Sequence, residues 1–442
     1  MTLREVARAV FDAALASGDV SPLVRRALAG VRPPGAGRVR VVGAGKASGT
    51  MAAAAEAALG DAIVDGFVVV KDGYRAATRR IRIVEAGHPV PDARGEAAAR
   101  EIRAIADAAG ADDLLLVLVS GGGSALTPAP APPITLADKQ AMTRLLLSAG
   151  ANINQLNAVR KHCSLLKGGQ LARAAAPARV HALLLSDVIG DPLDVIASGP
   201  TAPDASTFAE AVAILERFDL LERAPAAIVD RLRRGARGEV PETPKPDDPI
   251  FGRVTNTVIG NNALVVDAAA ARARALGYAP HVLTRSLEGE ARQVAGRLVA
   301  LAREIQAGRG PVAPPACVIA GGETTVTVRG SGRGGRCQEF ALAAALALDR
   351  VDGIAALAAG TDGTDGPTDA AGALVDGGSA GRARAGGLDP SARLDDNDSN
   401  PVLSATGDLV VTGPTNTNLL DLYLLVVEGT ARAATGRRGT AG

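Results

Sequence analysis

The stretch RVRVVGAGKASGTMAAAAEAAL, residues 38–59, decides the fold class of this chain. It begins as a β-branched strand, turns through glycines and continues as an alanine-rich run without proline, the pattern of one strand–turn–helix unit. The same order of strand and glycine or acidic turn returns in DDLLLVLVSGGGSAL (112–126) and VHALLLSDVIGDP (180–192). Short, continuously apolar strands that alternate with helices predict a mostly parallel sheet covered on both faces.

A break in composition divides the chain of 442 residues. Residues 233–253, RRGARGEVPETPKPDDPIFGR, are rich in proline, glycine and charge without periodicity, which is typical of an inter-domain connection. Apolar runs that end in Gly, Thr, Asn or Asp loops resume after it. We therefore predict an α/β protein with a Rossmann-like, mostly parallel αβα domain over residues 1–240 and a second, smaller α/β domain over residues 250–442.

Composition and charge exclude several classes of protein. The net charge is +1 and aromatic residues make up 2%, which disfavours a nucleic-acid-binding protein or one that binds membrane surfaces. No apolar run reaches the length of a membrane span, and the first residues, MTLREVARAVFDAALASGD, predict an amphipathic helix and not a signal peptide. Three dispersed cysteines are typical of a reducing compartment. We expect a cytoplasmic globular protein that binds neither nucleic acid nor membranes.

Two glycine-rich loops are candidate anion sites, because ligands of open α/β sheets gather at the carboxyl ends of strands. GAGKAS (43–48) follows the first strand and places Lys46 before a helix, but it is not a Walker A loop, since Arg40 and Ala47 replace the required Gly and Ser/Thr. Lys46 suits a phosphoryl or carboxylate group; a tight turn with a solvated lysine is the open alternative. SGGGSA (120–125) favours an anion cradle, because three successive glycines cost backbone entropy that a plain turn does not require.

A third loop, SGRGGRCQEF (331–340), places Arg333 and Arg336 before a predicted helix. The arginine fork matches phosphate oxygens, and a helix N-terminus adds its amides and dipole. We interpret this loop as one that handles phosphate.

Acidic and small polar side chains follow other strands. Asp187 and Asp191 in SDVIGDP suit Mg²⁺ binding or acceptance of a hydroxyl proton, with turn formation and helix capping as the alternative. Asp362 lies in GTDGTDGPTD, a candidate metal or ribose site that could instead be a series of Asx-turns, and Asn416 lies in the similar TGPTNTN loop. His88, in GHPVPD, is expected to serve packing.

Taken in order, these motifs resemble those of the glycerate 2-kinases whose C-terminal half is called the MOFRL domain, and the resemblance covers nearly the whole chain. It implies phosphorylation of D-glycerate at its 2-hydroxyl with ATP and Mg²⁺, in a cleft between a Rossmann-like domain and a smaller domain. Lys46 and Arg336 would then assist phosphoryl transfer, and Asp187 would activate the hydroxyl or hold the metal.

The remaining assignments complete this expected site. The residues expected to bind nucleotide phosphates are Gly45, Ser120, Gly121, Gly122, Gly123, Ser124 and Gly335. Those expected to contact substrate are Arg333, Glu323 and Asn416, and those expected to bind metal are Asp187, Asp191 and Asp362. One position departs from the family pattern GGRNQE, because Cys337 stands in place of the asparagine and removes a side-chain cap at the helix start.

Two other functions compete with the kinase. A hydroxypyruvate reductase using NAD(P)H would need an intact dinucleotide fingerprint, yet Ser48 stands where its third Gly or Ala would be, and Lys71 before Asp72 is a poor match to a ribose-binding acid. A non-catalytic sugar-acid-binding protein would not need two basic glycine loops and an acidic cluster. The sequence leaves the oligomeric state open, with a homodimer among the alternatives.

Overall fold

The computed structural model describes residues 1–33 and 37–429. By its internal contacts the chain forms two compact units. Among the described residues, the first unit consists of residues 19–33, 37–261 and 416–418, and the second of residues 1–18, 262–415 and 419–429. In the described ranges no helix combines the length and the apolar character of a membrane span.

The first unit contains a six-stranded sheet that is parallel throughout. Its strands are β1 (Val39–Ala44), β2 (Ile63–Lys71), β3 (Arg82–Ala86), β4 (Leu114–Val119), β5 (Arg179–Leu185) and β6 (Val254–Gly260). They are arranged in the order β3-β2-β1-β4-β5-β6, the doubly wound Rossmann arrangement. Strand β4 is buried along its whole length, as expected for a parallel strand with helices on both faces. The Rossmann-like, mostly parallel domain is confirmed.

The second unit contains a mixed six-stranded sheet in the order β11-β10-β9-β12-β8-β7. Its strands are β7 (Ala279–Leu287), β8 (Ala316–Gly322), β9 (Ile354–Gly360), β10 (Gly372–Asp376), β11 (Leu409–Val410) and β12 (Asp421–Val427). Only β7 and β8 pair in parallel, and all other pairs are antiparallel. Strands β8, β9 and β12 are fully buried and form the centre of the core together with the helix that starts at Arg336.

The helices follow the expected strand–helix alternation. They are α1 (Leu3–Ser17), α2 (Val20–Ala27), α3 (Ser48–Leu59), α4 (Ala93–Asp107), α5 (Gly123–Leu126), α6 (Leu136–Ser148), α7 (Ile153–His162), α8 (Gln170–Ala175), α9 (Phe208–Arg217), α10 (Ala226–Ala236), α11 (Asn262–Ala275), α12 (Ala291–Gln306), α13 (Arg336–Ala347), α14 (Ser379–Ala385), α15 (Pro390–Asp395) and α16 (Ser399–Ala405). Helix α1 forms where the N-terminal pattern predicts it. Thr2 and Glu5 form a capping box at its start, and Phe11 is among its fully buried residues.

The proline-rich stretch 233–253 lies inside the first unit, and the chain passes to the second unit between Asn261 and Asn262. Thr243, in the middle of this stretch, is 2% exposed and donates a hydrogen bond to Asp204. Residues 233–236 are the end of α10 and residues 249–253 form a short 3-10 helix, so only the part between them is irregular, and it packs within the first unit. The division into domains at 240–250 stays a prediction.

Candidate functional site

The loops after β1 and β4 lie side by side, because the strand order of the first sheet reverses between these two strands. In open α/β sheets the crevice at such a reversal is where ligands bind. The backbone N–H of Lys46 donates to the carbonyl of Gly121, 2.9 Å away, and joins the two loops directly. Lys46 is thus positioned two residues before helix α3, beside the glycine-rich segment.

Ser120 joins the same loops through its side chain. Its hydroxyl accepts the backbone N–H of Ala47 at 2.9 Å and bonds the hydroxyl of Ser48 at 3.1 Å. The residue is 1% exposed. Gly45, at φ +144°, is required here because a Cβ atom at this position would lie 2.1 Å from the Ser120 hydroxyl.

Asp187 lies against the glycine-rich loop. A Cβ atom at Gly121 would lie 2.2 Å from an Asp187 carboxylate oxygen, so only glycine allows this approach. The same oxygen accepts a hydrogen bond of 3.0 Å from the amide of Asn418. The loops after β1, β4 and β5 therefore bring a lysine, a run of glycines and a carboxylate to one edge of the sheet.

Asp191, a second acid in this region, accepts a hydrogen bond of 2.5 Å from the amide of Asn261. Across residues 1–33 and 37–429, no three His, Cys, Asp or Glu side chains are grouped closely enough to hold a metal ion by themselves. Mg²⁺ commonly uses one or two carboxylates and completes its coordination with water and substrate phosphates. Asp187, beside the glycine loop, fits that kind of site.

His88 borders the same loop. A Cβ atom at Gly122 would lie 2.9 Å from the imidazole Nε2. Burial, together with the positive charges of Lys46 and Lys71, lowers the pKa of His88 to about 4. The imidazole is therefore neutral at physiological pH and adds no positive charge to the loop.

Arg336, in the second unit, is held between two acids. Its guanidinium binds both carboxylate oxygens of Asp421, at 2.6 and 2.9 Å, and its remaining terminal nitrogen lies 2.7 Å from Glu323. Asp421 is buried at the start of β12, whereas the side chain of Glu323 is 43% exposed. Burial opposes the charge of Arg336, but the hydrogen bonds and charge of Asp421 outweigh it and raise the arginine pKa.

The helix that starts at Arg336 is capped by Asp365 from the GTDGTDGPTD loop. The Asp365 carboxylate accepts the backbone N–H groups of Cys337 and Gln338, at 3.1 and 2.8 Å, and the side-chain amide of Gln338 at 3.1 Å. The thiol of Cys337 is fully buried. The cap that was expected to be missing at Cys337 is thus supplied by an acid 28 residues further along the chain.

The glycine-dense loop before Arg336 packs on a polar segment of its own unit. The backbone N–H groups of Ser331 and Arg333 donate to Asp396 and Asp398, at 3.0 and 2.9 Å. A Cβ atom at Gly332 or Gly334 would lie less than 2.5 Å from side-chain atoms of residues 398 and 399. The glycines of this loop therefore permit close packing of two chain segments, and its amides bind internal carboxylates.

The other predicted residues of the second half have separate surroundings. The side chain of Arg333 is exposed and reaches the carbonyl of Pro367 at 3.3 Å. Asp362 accepts hydrogen bonds from the N–H and hydroxyl of Thr364, at 3.1 and 3.2 Å, which is an Asx-turn. Asn416 is exposed at φ +57°. Their assigned contacts with substrate or metal stay predictions.

Sequence reasoning overlooked Asp365 and Asp421, the two buried acids around Arg336. A signal for Asp421 was present, since a charged residue directly before the apolar run LYLLVV (422–427) is rarely buried without a partner. Asp365 had no such signal, because it was one of three similar acids in a polar loop.

Comparison with known proteins agrees with this geometry. Residues 6–233 match the family model described as a domain of unknown function, DUF4147, and residues 316–421 match that of the MOFRL family. The first match contains strands β1 to β5 of the parallel sheet. The second contains strands β8 to β11 of the mixed sheet and ends at Asp421, the first residue of β12. The chain thus combines a DUF4147 domain with a MOFRL domain that follows it in the sequence.

Relatives define that class more closely. The chain is 40% identical to a glycerate 2-kinase of Pyrococcus horikoshii over 88% of each chain. It is 44% identical to an Agrobacterium vitis protein named as a hydroxypyruvate reductase, over 97% of this chain and 95% of the other. The crystal structure of a glycerate kinase from Thermotoga maritima superimposes with a TM-score of 0.89 at 39% identity, covering 96% of this chain and 99% of that one. The chain belongs to the glycerate 2-kinase family.

Proposed function

We propose that the protein is a glycerate 2-kinase, which transfers the γ-phosphoryl group of ATP to the 2-hydroxyl of D-glycerate. The observation that carries the proposal is the convergence of Lys46, the Gly121–Gly123 backbone and Asp187 at the strand reversal of the first sheet. Phosphoryl transfer requires mainly positioning and stabilisation of charge, and this arrangement offers both. Membership in the glycerate 2-kinase family supports the choice of substrate.

Lys46 is proposed to stabilise charge on the phosphoryl group during transfer. The backbone N–H of Lys46 is bonded to Gly121 and helix α3 starts two residues later at Ser48, so the base of the side chain is fixed beside the glycine loop. Arg336 is proposed as the second cation of the reaction. Asp421 orients its guanidinium, and the half-exposed Glu323 is the partner that a phosphate oxygen would replace.

Asp187 is proposed to accept the proton of the 2-hydroxyl or to hold Mg²⁺, with Asp191 and Asp362 as further candidate ligands. When bound, Mg²⁺ would neutralise charge on the nucleotide phosphates. The amide of Asn418 fixes the Asp187 carboxylate beside the glycine loop, which serves either role.

Ser120, with its hydroxyl bonded to Ala47 and Ser48, is proposed to shape the phosphate loop. Arg333, Glu323 and Asn416 stay proposed contacts of the acid substrate, and Gly45 and Gly335 of phosphate.

The ion pair between Asp72, which follows β2, and Arg94 is evidence against the reductase function. A dinucleotide-binding fold uses an acid at this place to hold a ribose hydroxyl. Asp72 is the acid available here, but the guanidinium of Arg94 binds both of its oxygens, at 2.7 and 2.9 Å. This observation favours the kinase over the reductase.

The test is incubation with ATP, Mg²⁺ and D-glycerate, followed by ³¹P and ¹³C NMR to identify the phosphorylated carbon. We expect 2-phosphoglycerate, with no product when the metal is chelated. The parallel assay measures NADH oxidation in the presence of hydroxypyruvate. Reduction of hydroxypyruvate without any ATP-dependent consumption of glycerate would refute the proposal.

A further inference from the structure

A cavity of about 460 Å³ in the first unit has a basic wall that the roles above do not use. This volume is in the range of small-molecule sites in proteins. Its basic wall, named the cation cluster below, consists of Lys139, Arg160 and Lys167. Arg144, Ser124 and His88 also line the cavity. The phosphate loop after β4 therefore forms one side of this space.

The cation cluster converges on Ser124. Lys167 donates to the carbonyl and the hydroxyl oxygen of Ser124, at 2.7 and 2.9 Å, and Arg160 donates to the same hydroxyl at 2.7 Å. Lys139 donates to the carbonyl of Cys163 at 3.3 Å. Three different segments supply these cations, namely α6, α7 and the loop after α7.

The hydrogen-bond directions at Ser124 are determined by its neighbours. Its oxygen accepts from two cations, so its own proton is directed to the hydroxyl of Ser198, 3.0 Å away, which in turn donates to Asn157. Ser124 therefore positions Arg160 and Lys167. The cations, and not the serine hydroxyl, are the groups that can donate to an anion.

These positive charges have no acidic partner among the residues that the structure describes. In the described parts of the chain, no carboxylate lies within ion-pair distance of Lys139, Arg160 or Lys167, although Lys167 is 2% and Lys139 9% exposed. The neighbouring Lys161, by contrast, is paired with Asp194 and Asp204, at 3.1 and 3.3 Å. Buried lysines without a counter-charge are rare, because desolvation of the ammonium is costly. An anionic ligand would supply the missing negative charge.

The pKa shifts agree with this geometry. Burial lowers the pKa of Lys139 to about 7, and the positive charge of Arg160 lowers it further. The interaction with Cys163 opposes this shift but does not cancel it. Burial and the charges of Arg160 and Lys139 lower the pKa of Lys167 as well. A bound anion would oppose both shifts by stabilising the charged ammonium groups.

Five aliphatic or proline side chains form an apolar part of the cavity wall. Pro89, Val90, Pro91, Leu147 and Leu156 line it, and two of them, Val90 and Leu147, are 63% and 58% exposed. Exposed aliphatic side chains beside a cationic wall suit a ligand with a flat apolar ring and a polyanionic chain. A three-carbon acid would leave most of the volume empty.

We propose that this cavity binds the nucleotide, with the cation cluster on its phosphate chain and the aliphatic side chains on its base. The proposal rests on the proposed kinase function for the identity of the nucleotide as ATP. Gly122 lines the cavity and follows Gly121, whose carbonyl accepts the backbone N–H of Lys46, so a phosphate chain held by Arg160 and Lys167 can extend toward the Lys46 loop.

The test is equilibrium binding of MgATP and of base-free tripolyphosphate by calorimetry, in the absence of glycerate. We expect Arg160→Gln and Lys167→Met to weaken the binding of both ligands about 10- to 100-fold, since each variant removes charge-assisted hydrogen bonds. The KM for glycerate should stay within about twofold in both variants. Arg231→Gln is the matched control, because this partly buried arginine also lacks an acidic partner in the described chain but does not line the cavity.

Thermal melting without ligand separates a ligand-binding role from a structural one. Removing one of three like charges should leave the melting temperature of each variant equal to that of the unaltered protein or higher. Unchanged MgATP affinity in both variants overturns the proposal, and so does a rise in the KM for glycerate alone, which would assign the cluster to the carboxylate of the acid. A protein that binds MgATP through Arg160 but never phosphorylates glycerate would refute the proposed function and leave this site standing.

Discussion

Arg336 has a structural and a proposed chemical role, and its surroundings allow the two to be separated. Its pair with Asp421 is bidentate, and the carboxylate side chain is 1% exposed and that of the arginine 34%, whereas the Glu323 side chain is 43% exposed. Breaking a buried pair by removing one partner is far more costly than losing an exposed one. A loss of activity in an Arg336 variant therefore needs a stability measurement beside it.

We expect Arg336→Gln to lower the free energy of unfolding by about 3–5 kcal/mol, because Asp421 keeps its buried charge without the guanidinium. Urea unfolding measures this change. The double variant Arg336→Gln/Asp421→Asn should recover most of the stability, since it removes both charges, yet remain inactive. If the double variant also recovers phosphoryl transfer, Arg336 is structural only.

Asp365 gives a prediction for pH dependence. Burial raises the pKa of Asp365 from 3.8 to about 6, and the charge of Asp421 contributes to this rise. Hydrogen bonds from Gln338 and Cys337 oppose it but are the weaker effect. Because the folded state binds this proton more tightly than the unfolded state, ionisation of Asp365 costs stability as pH rises from about 4 to about 6. The cost is about 3 kcal/mol at most.

The variant Asp365→Asn should remove this pH dependence while an amide oxygen still caps α13. Unfolding free energies of the unaltered protein and the variant are compared between pH 4 and 7, so that titration of all other groups cancels. We expect the variant to gain stability relative to the unaltered protein as pH rises through this window. A difference that does not change with pH would contradict the raised pKa.

At the scale of elements, the loops after β1, β4 and β5 act together because glycine lets them approach. Gly121→Ala places a methyl group 2.2 Å from an Asp187 oxygen and 2.9 Å from the Asn418 amide. We expect kcat to fall at least about tenfold, since a misplaced catalytic group is costly even over 1 Å. Steady-state kinetics measures the loss, and near-UV circular dichroism checks that the fold is retained.

Gly252→Ala is the matched control for this change. Gly252 lies in the same unit, and an added Cβ atom would meet no other atom within 4 Å. Its kcat should equal that of the unaltered protein. Equal kcat in Gly121→Ala would show that close contact between the glycine loop and Asp187 is unnecessary.

The elements themselves were largely predictable. Strand β1, its glycine turn and helix α3 follow from one local pattern in residues 38–59, and the N-terminal helix follows from its apolar spacing. The stretch INQLNAVRKHCSLLKGGQLA (153–172) has helical periodicity throughout, yet α7 ends at His162 and α8 begins only at Gln170. Gly168 and Gly169, both at positive φ, allow the turn that brings Lys167 to Ser124.

The site was predictable only where its residues follow strands. Lys46 and Asp187 were found because strand ends are where ligands gather. Arg160 and Lys167 were missed because basic side chains usually face water, and only the tertiary structure shows that no carboxylate of the described residues pairs with them. Likewise, Asp365 was indistinguishable from Asp362 until the fold placed one at a helix end and the other in a turn.

At the scale of the molecule, the first helix belongs with the second half of the chain. Helix α1 packs on α11, β9 and β12, and Arg4 pairs with Asp376 and Asp408, at 2.9 and 2.8 Å. Residues 262–415 therefore do not form a complete unit by themselves. Removing the N-terminal helix should affect the mixed sheet and spare the parallel one.

Phe11→Ala tests this dependence at one buried side chain. We expect a loss of about 3–5 kcal/mol, from lost burial and the cavity that remains. Hydrogen exchange should accelerate in β9 and β12 but not in β1 and β4. The control Asp12→Ala changes an exposed neighbour on the same helix and should shift stability by less than about 0.5 kcal/mol. Equal acceleration in both sheets would contradict the assignment of α1 to the second unit.

This arrangement also sets an order of events on the ribosome. Helix α1 is translated well before its partner helix, which begins at Asn262, so at about 5–20 residues per second the interval between them is roughly 10 to 50 s. During that time the parallel sheet can be completed, while the apolar stripe of α1 stays uncovered. The nascent chain thus exposes an apolar segment for this interval, and maturation of the mixed sheet depends on keeping that segment available until strand β12 emerges.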